Sequence, residues 1–305
     1  MKNPTKAYIK NLYHESLIGH WLFTPIKKIN DYLSPRILPE KTYIKRTFKN
    51  TFGYKLNLNS PKTFNEKILW LQQNDRKPLH TLCTNKYAVR EYIKDKIGEQ
   101  YLIQLIIHTD SPADIIPSKL PDYPFIIKTN HGCGGHIIAK DKSKVDWNKV
   151  QRHFKRLLKR NYYYKTREWQ YRNIKPCIIV EKLLLDENSN IPYDYKFECY
   201  NGKVLYITVV IDLFQRKIFN IYDPDWNRIN CLRDDLNGKD IMKPLLLDEM
   251  IKLAEVIAKD FIYVRVDMYH LSDKIFIGEL TFSPAAGFDV FNPPWDRIFG
   301  DQLKL

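Results

Sequence analysis

Glycine is scarce in this chain, at 11 of 305 residues against 17 prolines. Three of the eleven, Gly132, Gly134 and Gly135, nevertheless fall within four positions of the stretch FIIKTNHGCGGHIIAK (125–140). Long apolar runs are also missing. No stretch of about 18 apolar residues exists, so no transmembrane helix is expected. The apolar run SLIGHWLFTPI near the N-terminus contains His20 and lacks a small-residue cleavage site, so no secretory leader is expected. Cysteine is sparse and odd in number (Cys83, Cys133, Cys177, Cys199, Cys231), with no CxxC pair. That pattern argues against a zinc module and for reduced thiols in the cytosol. Neither GxxxxGK[ST] nor a glycine fingerprint opening a helix is present, which removes the P-loop and the dinucleotide-binding fold. Internal repeats and low-complexity tracts are absent.

What is present is positive charge and enough apolar residues for a core. The chain carries 49 Lys+Arg against 35 Asp+Glu, a net +14, with 44% hydrophobic and 13% aromatic residues. Its length suits two or three subdomains. The charge favours a polyanionic partner: nucleic acid, an anionic membrane surface or an acidic polymer. It is concentrated in two places. Residues 1–50 hold ten Lys/Arg and three acids. There Tyr8, Leu12, Leu17, Ile18, Trp21, Leu22 and Ile26, beside five lysines, predict an amphipathic helix lying either on anionic lipid or on the protein body. Residues 140–175 hold thirteen Lys/Arg and three acids. Trp147, Val150, Phe154, Leu157 and Leu158 at helical spacing predict a helix with a basic outer face, followed by the aromatic stretch NYYYKTREWQYR.

Local signals set the remaining elements. PKTFNEKILWLQQND (61–75) reads as a helix capped by Thr63 and Glu66, and KYAVREYIKDKI (86–97) as a second helix ended by Gly98. From residue 177 the texture is β, interrupted by a helix over 246–260, and Asn201-Gly202 predicts a hairpin. FIIK and HIIAK form another hairpin, closed by HGCGG, whose N–H groups can fold over phosphate oxygens. Lys128 on the leading strand supplies a compact charge to a phosphate. His131, Cys133 and His136 lack the fourth ligand and the base that a metal or a cysteine nucleophile needs.

The last hairpin, YVRVDMYHLSDKIFIGELTF, carries two opposed carboxylates. A turn at Ser272-Asp273-Lys274 sets Asp267 opposite Glu279, with Arg265, Tyr269 and Thr281 on the same face. Val264, Val266, Met268, Phe276, Leu280 and Phe282 then form the core face. Facing carboxylates repel unless a cation or proton lies between them, and the spacing suits Mg²⁺; the alternative is that one carboxylate pairs with Arg265 and the other faces solvent.

The order of these parts is lysine, glycine hairpin, Glu-Lys-Leu-Leu strand, lysine strand, carboxylate hairpin. It resembles the ATP-grasp superfamily. The phrases KTFNEKILWLQ, NKYAVREYIKDKIGEQYLIQLI, PFIIKTNHGCGG, IIVEKLL, DYKFECYNGKV, VRVDMY and GELTFSPAAGF, from about residue 48 to 292, are similar to its TupA-like branch. That branch is associated with bacterial cell-surface polysaccharide and teichuronopeptide synthesis.

The resemblance implies an α+β fold in which two α+β subdomains clasp ATP. It divides the chain into a basic helical segment (1–50), an N-terminal α/β subdomain (51–120), a small subdomain with the glycine flap (121–183) and a large subdomain with the metal-binding hairpin (184–305). Lys86 and Lys128 would meet phosphates under a flap of His131, Gly132, Gly134 and Gly135, with Lys196 in the same cleft. Glu181, Lys182, Leu183 and Leu184 would read adenine. Asp267 and Glu279, with Thr281, would hold Mg²⁺, and Lys128, Lys196 and Arg265 would act in catalysis. Two positions depart from the family pattern: Thr281 stands where Asn is common, and Asn85 precedes Lys86 where Asp is usual. The implied activity joins a carboxylate to an amine through an acyl phosphate, on an acidic glycan or uronic-acid sugar. The implied setting is the cytoplasm, with peripheral contact to the inner face of an anionic membrane and no nucleic-acid partner.

Three rival functions have sequence support. Asp223-Pro224-Asp225 is a DxD that could serve a glycosyltransferase, although Pro and Asp also form turns. A kinase could use a similar cleft. The Arg/Tyr/Trp interleaving of residues 160–172 could serve nucleic acid.

Overall fold

The computed structural model describes residue 33, residues 36–212 and residues 218–305. The amphipathic segment expected from Tyr8 to Ile26 lies outside the described residues. Two units are formed, one from Met1–Lys55 with Tyr164–Arg167 and one from Leu56–Tyr163 with Glu168–Leu305. In the first, helix α1 (Glu40–Phe52) buries Ile44 and Phe48 and ends on Gly53 in the left-handed region at φ 81°. Arg167 of that unit donates to the Leu38 carbonyl at 2.7 Å.

The second unit opens as its sequence predicts. Thr63 accepts from the Glu66 N–H, and the Glu66 carboxylate accepts from the Thr63 N–H in return, a capping box that starts helix α2 (Phe64–Asn74). Helix α3 (Pro78–Thr84) follows, and helix α4 (Val89–Ile97) ends at Gly98. This last helix begins three residues later than the periodicity predicts. The Asn85 side chain takes the N–H groups of Tyr87 and Ala88 and holds residues 86–88 in a turn.

Strands β1 (Leu105–Thr109), β2 (Phe125–Thr129), β3 (Ile137–Ala139) and β4 (Ile178–Lys182) form an antiparallel sheet in the order β1-β4-β2-β3. Strand β1 therefore joins the flap hairpin's sheet across the boundary expected at residue 120. Helix α5 (Trp147–Leu157), capped by Asp146, packs Val150 and Phe154 on this sheet.

Strands β5 (Asp194–Tyr200), β6 (Lys203–Asp212), β7 (Ile218–Tyr222), β8 (Tyr263–Leu271) and β9 (Lys274–Thr281) form a second antiparallel sheet, ordered β7-β6-β5-β8-β9. Asn201 and Gly202, both at positive φ, make the predicted tight hairpin between β5 and β6. Helix α4 and helix α6 (Leu247–Ala258) cover one face of the sheet. Helix α2 and helix α7 (Trp295–Gln302) cover half of the other, where Phe64, Tyr200, Tyr206, Tyr263 and Phe299 pack. The fold is α+β, as expected.

Alternation along β5 and β8 decides what lies beyond that aromatic half. On this face Tyr200, Glu198, Lys196 and Asp194 face Tyr263, Arg265, Asp267 and Tyr269 in register. The aromatic pair is core; the next rungs are charged and open into the site.

The β8–β9 hairpin reaches its predicted pairing by a different route. Leu271 pairs with Lys274, so Ser272 and Asp273 alone form the turn, with Ser272 at φ 54°. That register alone would set Asp267 opposite Gly278. A bulge between Asp267 and Met268 inserts Gly278 and brings Asp267 opposite Glu279. The two-residue turn places Ile275 and Ile277 in the core instead of the expected Phe276, and the bulge then returns Leu280 to that face. A Cβ on Gly278 would lie 3.0 Å from the Tyr269 ring, so the bulge position suits glycine.

Helix α7 crosses the start of α2 at Gly300, where a Cβ would stand 2.3 Å from the Lys62 carbonyl oxygen and 2.6 Å from the Thr63 carbonyl carbon. Thr63 is the capping residue, and the Lys62–Thr63 peptide carries the N–H that donates to Glu66, so this backbone cannot retreat without opening the box. Gly300→Ala is therefore expected to cost about 3 kcal/mol, seen as a lowered thermal midpoint; an unchanged midpoint would show that the crossing can relax.

Candidate active site

Three like charges meet on the second sheet. Asp267 lies opposite Glu279 on β9, and Asp194 stands one rung away on β5. Cations resolve the repulsion. Lys196 Nζ sits 2.6 Å from both Asp194 Oδ2 and Asp267 Oδ2. Arg265 grips Asp267 with two parallel bonds, Nε to Oδ1 at 2.6 Å and Nη2 to Oδ2 at 2.7 Å, and also donates to Thr281 Oγ1 at 3.2 Å. Lys86, from the turn before α4, reaches Glu279 Oε2 at 2.8 Å and the Gly132 carbonyl at 3.1 Å.

The first sheet supplies a second cluster. Lys128 on β2 pairs with Glu181 on β4 at 2.6 Å, and Arg90 of α4 meets the other oxygen of Glu181 at 3.2 Å. Together the site holds five cations (Lys86, Arg90, Lys128, Lys196, Arg265) and four carboxylates (Glu181, Asp194, Asp267, Glu279). Buried Asn130 anchors the flap. Its amide donates to Asn85 Oδ1 at 3.0 Å and the Lys175 carbonyl at 2.9 Å, and it accepts from the Cys177 N–H at 2.8 Å. Gly134 and Gly135 follow at φ 81° and 77°, conformations that glycine adopts without strain.

Between the sheets lies a cavity of about 440 Å³. One part is apolar, walled by Ile103, Ile126, Ile138, Leu183, Leu184 and Pro192; another is polar, with Lys86, Lys128, Glu181, Asp194, Asp267 and Glu279.

Ten residues expected from the sequence line this cavity: Lys86, Lys128, Gly132, Gly134, Glu181, Lys182, Leu183, Leu184, Asp267 and Glu279. Five others do not. His131 is buried, bonded to Asn130 Oδ1 at 3.1 Å and the Arg160 carbonyl at 3.0 Å, so it fastens the flap's base. Gly135 turns toward Leu157 and His153. Lys196 and Arg265 are engaged with the carboxylates rather than exposed on the wall, and the Thr281 hydroxyl accepts from Arg265 instead of facing the cavity. Sequence reasoning missed Asp194 and Arg90. Tyr269, placed on the carboxylate face, and His136 and Cys133, set aside as metal ligand or nucleophile, also line the cavity. Asp194 was findable, because it precedes Lys196 by two positions and so shares its face. Arg90 gave no signal, since only the packing of α4 brings it to Glu181.

The DxD forms a turn apart from the cavity. The Asp223 carboxylate takes the Asn227 backbone and side-chain N–H groups at 2.7 and 2.9 Å, and Trp226 stacks on Tyr222 at 4.3 Å.

Burial and charge set the titration of these groups. Burial opposes ionisation of Glu279, but Lys86, Lys196 and Arg265 overcome it and hold the carboxyl well below the usual range. Asp194 is pushed up to about 6 by burial and the Asp267 charge, against the pull of Lys196. Glu198, under Arg265 and bonded by the Tyr263 hydroxyl, is pushed up to about 7, burial again dominating. A carboxyl raised in the folded state gives stability that is full below its unfolded value near 4 and is lost as pH climbs through about 7. Glu198→Gln, which keeps the Tyr263 bond, is expected to gain a few kcal/mol relative to wild type at pH 8 and nothing at pH 4. Denaturant melts at both pH values test this; a pH-independent difference would refute it.

The donor types fit a magnesium ion, but as the alternative reading expected, Asp267 is paired with Arg265, and also with Lys196. Glu279, more exposed at the wall, pairs with Lys86 and is the carboxylate a metal reaches first. Two carboxylates in direct opposition border the cavity, and Mg²⁺ commonly takes one or two protein carboxylates and completes its shell with water and phosphate oxygens. Among the described residues no cluster of three or more His, Cys, Asp or Glu side chains forms a self-sufficient metal cage. Among the same residues no helix is long and apolar enough to cross a membrane.

Solved structures similar to this chain include an L-amino acid ligase from Bacillus licheniformis (14% identity, TM-score 0.49, 88% of this chain and 63% of that one). An N5-carboxyaminoimidazole ribonucleotide synthetase in complex with ADP is also similar (15%, 0.44, 71% and 50%), as is a D-alanine–D-alanine ligase from Bacillus anthracis in complex with ATP (16%, 0.40, 78% and 62%). The chain thus spans half to under two thirds of the lengths of these proteins. No curated protein matches the sequence. The family model described as TupA-like ATPgrasp matches residues 66–304, most of the chain and every charged residue of the site, and the chain belongs to the TupA-like ATP-grasp family.

Proposed function

We propose that the protein is an ATP-dependent carboxylate–amine ligase. One observation carries the proposal: in a chain of this family, a single cavity joins an apolar slot to two lysines and an opposed carboxylate pair. Adenine would lie in the slot. The N–H groups of Lys182 and Leu183 are already bonded to the Gln104 and Pro124 carbonyls, which leaves the next amide, that of Leu184, for the purine edge. Lys86 and Lys128 would neutralise phosphate oxygens beneath Gly132 and Gly134. Asp267 and Glu279 would hold Mg²⁺, which supplies charge neutralisation at the transferring phosphate. Lys196 and Arg265 would fix the orientation of Asp267 from behind.

The reaction runs in two steps. An oxygen of the substrate carboxylate bonds to the γ-phosphorus as the bond to the β–γ bridging oxygen breaks, releasing ADP. The amine nitrogen then bonds to the acyl carbon, the carbon–oxygen bond to phosphate breaks, and the departing phosphate takes the proton. The cations of the site stabilise charge in the first step, the main contribution a protein makes to phosphoryl transfer. The positive surface favours a uronic-acid sugar or acidic cell-surface glycan as carboxylate, with an amino acid or other amine as acceptor. Peripheral contact with the inner face of an anionic membrane through the basic residues 1–50 belongs to the same proposal.

Thermal unfolding with ATP and Mg²⁺, beside a UDP-sugar with Mn²⁺, tests it. A ligand at 100 times its dissociation constant stabilises by about 2.7 kcal/mol. A rise with ATP alone is expected; a rise with the UDP-sugar alone would instead make the protein a glycosyltransferase. Multiple-turnover ADP release without an amine, with a stable phosphorylated product, would make it a kinase.

A further inference from the structure

Helix α5 has one face in the core and one in water. Val150 and Phe154 are buried, Trp147 and Leu157 pack half-buried on the same cluster, and Lys149, Arg152, Lys155 and Arg156 are exposed. Lys159 and Arg160 continue the exposed face beyond the helix. Residues 149–160 thus carry six cations and no acid. Lys149 pairs with Asp146 at 3.3 Å, whereas the other five form no ion pair among the described residues.

This face adjoins the cavity. Gly134 and His136 line the cavity, and Gly135 between them touches α5: its carbonyl lies 2.8 Å from His153 Nε2, and a Cβ there would stand 2.9 Å from Leu157. His131, at the flap's base, bonds the Arg160 carbonyl. The flap that lines the cavity is therefore packed directly against the helix that carries the basic face.

The chemistry of the face selects among polyanions. A helix that binds membrane sets apolar anchors beside its cations; here the large apolar side chains of α5 turn inward. A single-stranded nucleic acid needs exposed aromatic platforms. Tyr162 and Tyr171 instead pack on each other at 4.8 Å, and Trp169 packs on His80 at 5.8 Å. What remains is charge alone along about 10 Å of helix, a match for a chain of repeated carboxylates.

We propose that the outer face of α5, through Arg160, docks an acidic polysaccharide and presents one of its carboxylates to the cavity; this rests on the ligase function proposed above. The test measures binding of polygalacturonate to the full chain, to the triple variant Arg152→Glu, Lys155→Glu, Arg156→Glu, and to a control with the same charge change elsewhere, Lys239→Glu, Lys243→Glu, Lys252→Glu. The α5 variant should bind about tenfold more weakly or worse, the control within about twofold of wild type, and both should keep the ATP-induced rise in melting temperature. Equal loss in both variants, or none in either, overturns the proposal. So does tighter binding of polyglutamate, phosphatidylglycerol vesicles or single-stranded DNA than of polygalacturonate at matched salt. A wild type that ATP does not stabilise overturns the ligase function instead, and the polymer arm still decides the docking surface.

Discussion

Asp267→Asn is expected to destabilise the protein by about 3–5 kcal/mol and to abolish measurable ligation. Asp267 is almost wholly buried and takes three charge-assisted bonds, two from Arg265 and one from Lys196. Asparagine retains one acceptor and sets an NH₂ group against a cation that can only donate. Breaking a buried ion pair from one side leaves the partner's charge uncompensated, which is the reason for the size of the effect. In a unit of this size the loss corresponds to a fall of roughly 6–10 °C in melting temperature. Adding Lys196→Met to Asp267→Asn should recover part of the stability, because it removes one of the stranded charges, and should recover no activity. A single Asp267→Asn variant within about 1 kcal/mol of wild type would show that these cations are solvated without it.

Glu279→Gln is expected to behave differently. The Glu279 side chain is 32% exposed at the cavity wall, and Lys86 retains the Gly132 carbonyl when the carboxylate charge is removed. Stability should fall by about 1–3 kcal/mol, less than for Asp267→Asn, because the contribution of the ionised carboxylate is lost while Lys86 keeps one partner. ATP with Mg²⁺ should no longer raise the melting temperature, and turnover should fall by about 10²–10³-fold, the usual size of losing one preorganised charge at a reacting group. The low carboxyl pKa sets the sign of the pH effect. Its ionisation favours the folded state above the unfolded value near 4 and stops doing so only as pH falls through the depressed value. Between pH 5 and 8 Glu279 stays charged, so a loss of activity in mild acid belongs to another group. A Glu279→Gln variant that still responds to ATP and Mg²⁺ would remove Glu279 from the metal site.

The two carboxylates show how sequence and structure divide the information. Their opposition was predicted from a three-residue turn, and it is present; the chain reaches it through a two-residue turn and a bulge at Gly278. A bulge leaves a weak mark in sequence because any residue can begin one, and whether glycine is needed depends on Tyr269 across the ladder. The two-residue turn sets Ile277, and not Phe276, opposite Met268 in the core, and the bulge then returns Leu280 to that face. The flap was visible for a simpler reason. Glycines clustered in a glycine-poor chain announce a backbone that other residues cannot adopt, and Gly134 and Gly135 do lie at positive φ.

The amino-acid order by itself determined the elements with strong local chemistry: the capping box at Thr63, the Asn201-Gly202 hairpin, the Gly98 stop, the apolar stripe of α5 and the alternation that sets Lys196 and Asp267 on one face. Each is fixed by contacts within a few residues, or by a period that a strand or helix imposes whatever surrounds it. Only the tertiary structure decided that His131 holds the flap from beneath, that Arg90 meets Glu181, and that Lys196 and Arg265 are engaged with Asp267 instead of lining the cavity. Those outcomes depend on pairs such as residues 90 and 181 or 196 and 267, distant in sequence, whose approach follows from sheet order and helix packing. Charge attraction holds them, strengthened by a buried setting that also imposes a desolvation cost, and no single segment of the chain specifies that setting.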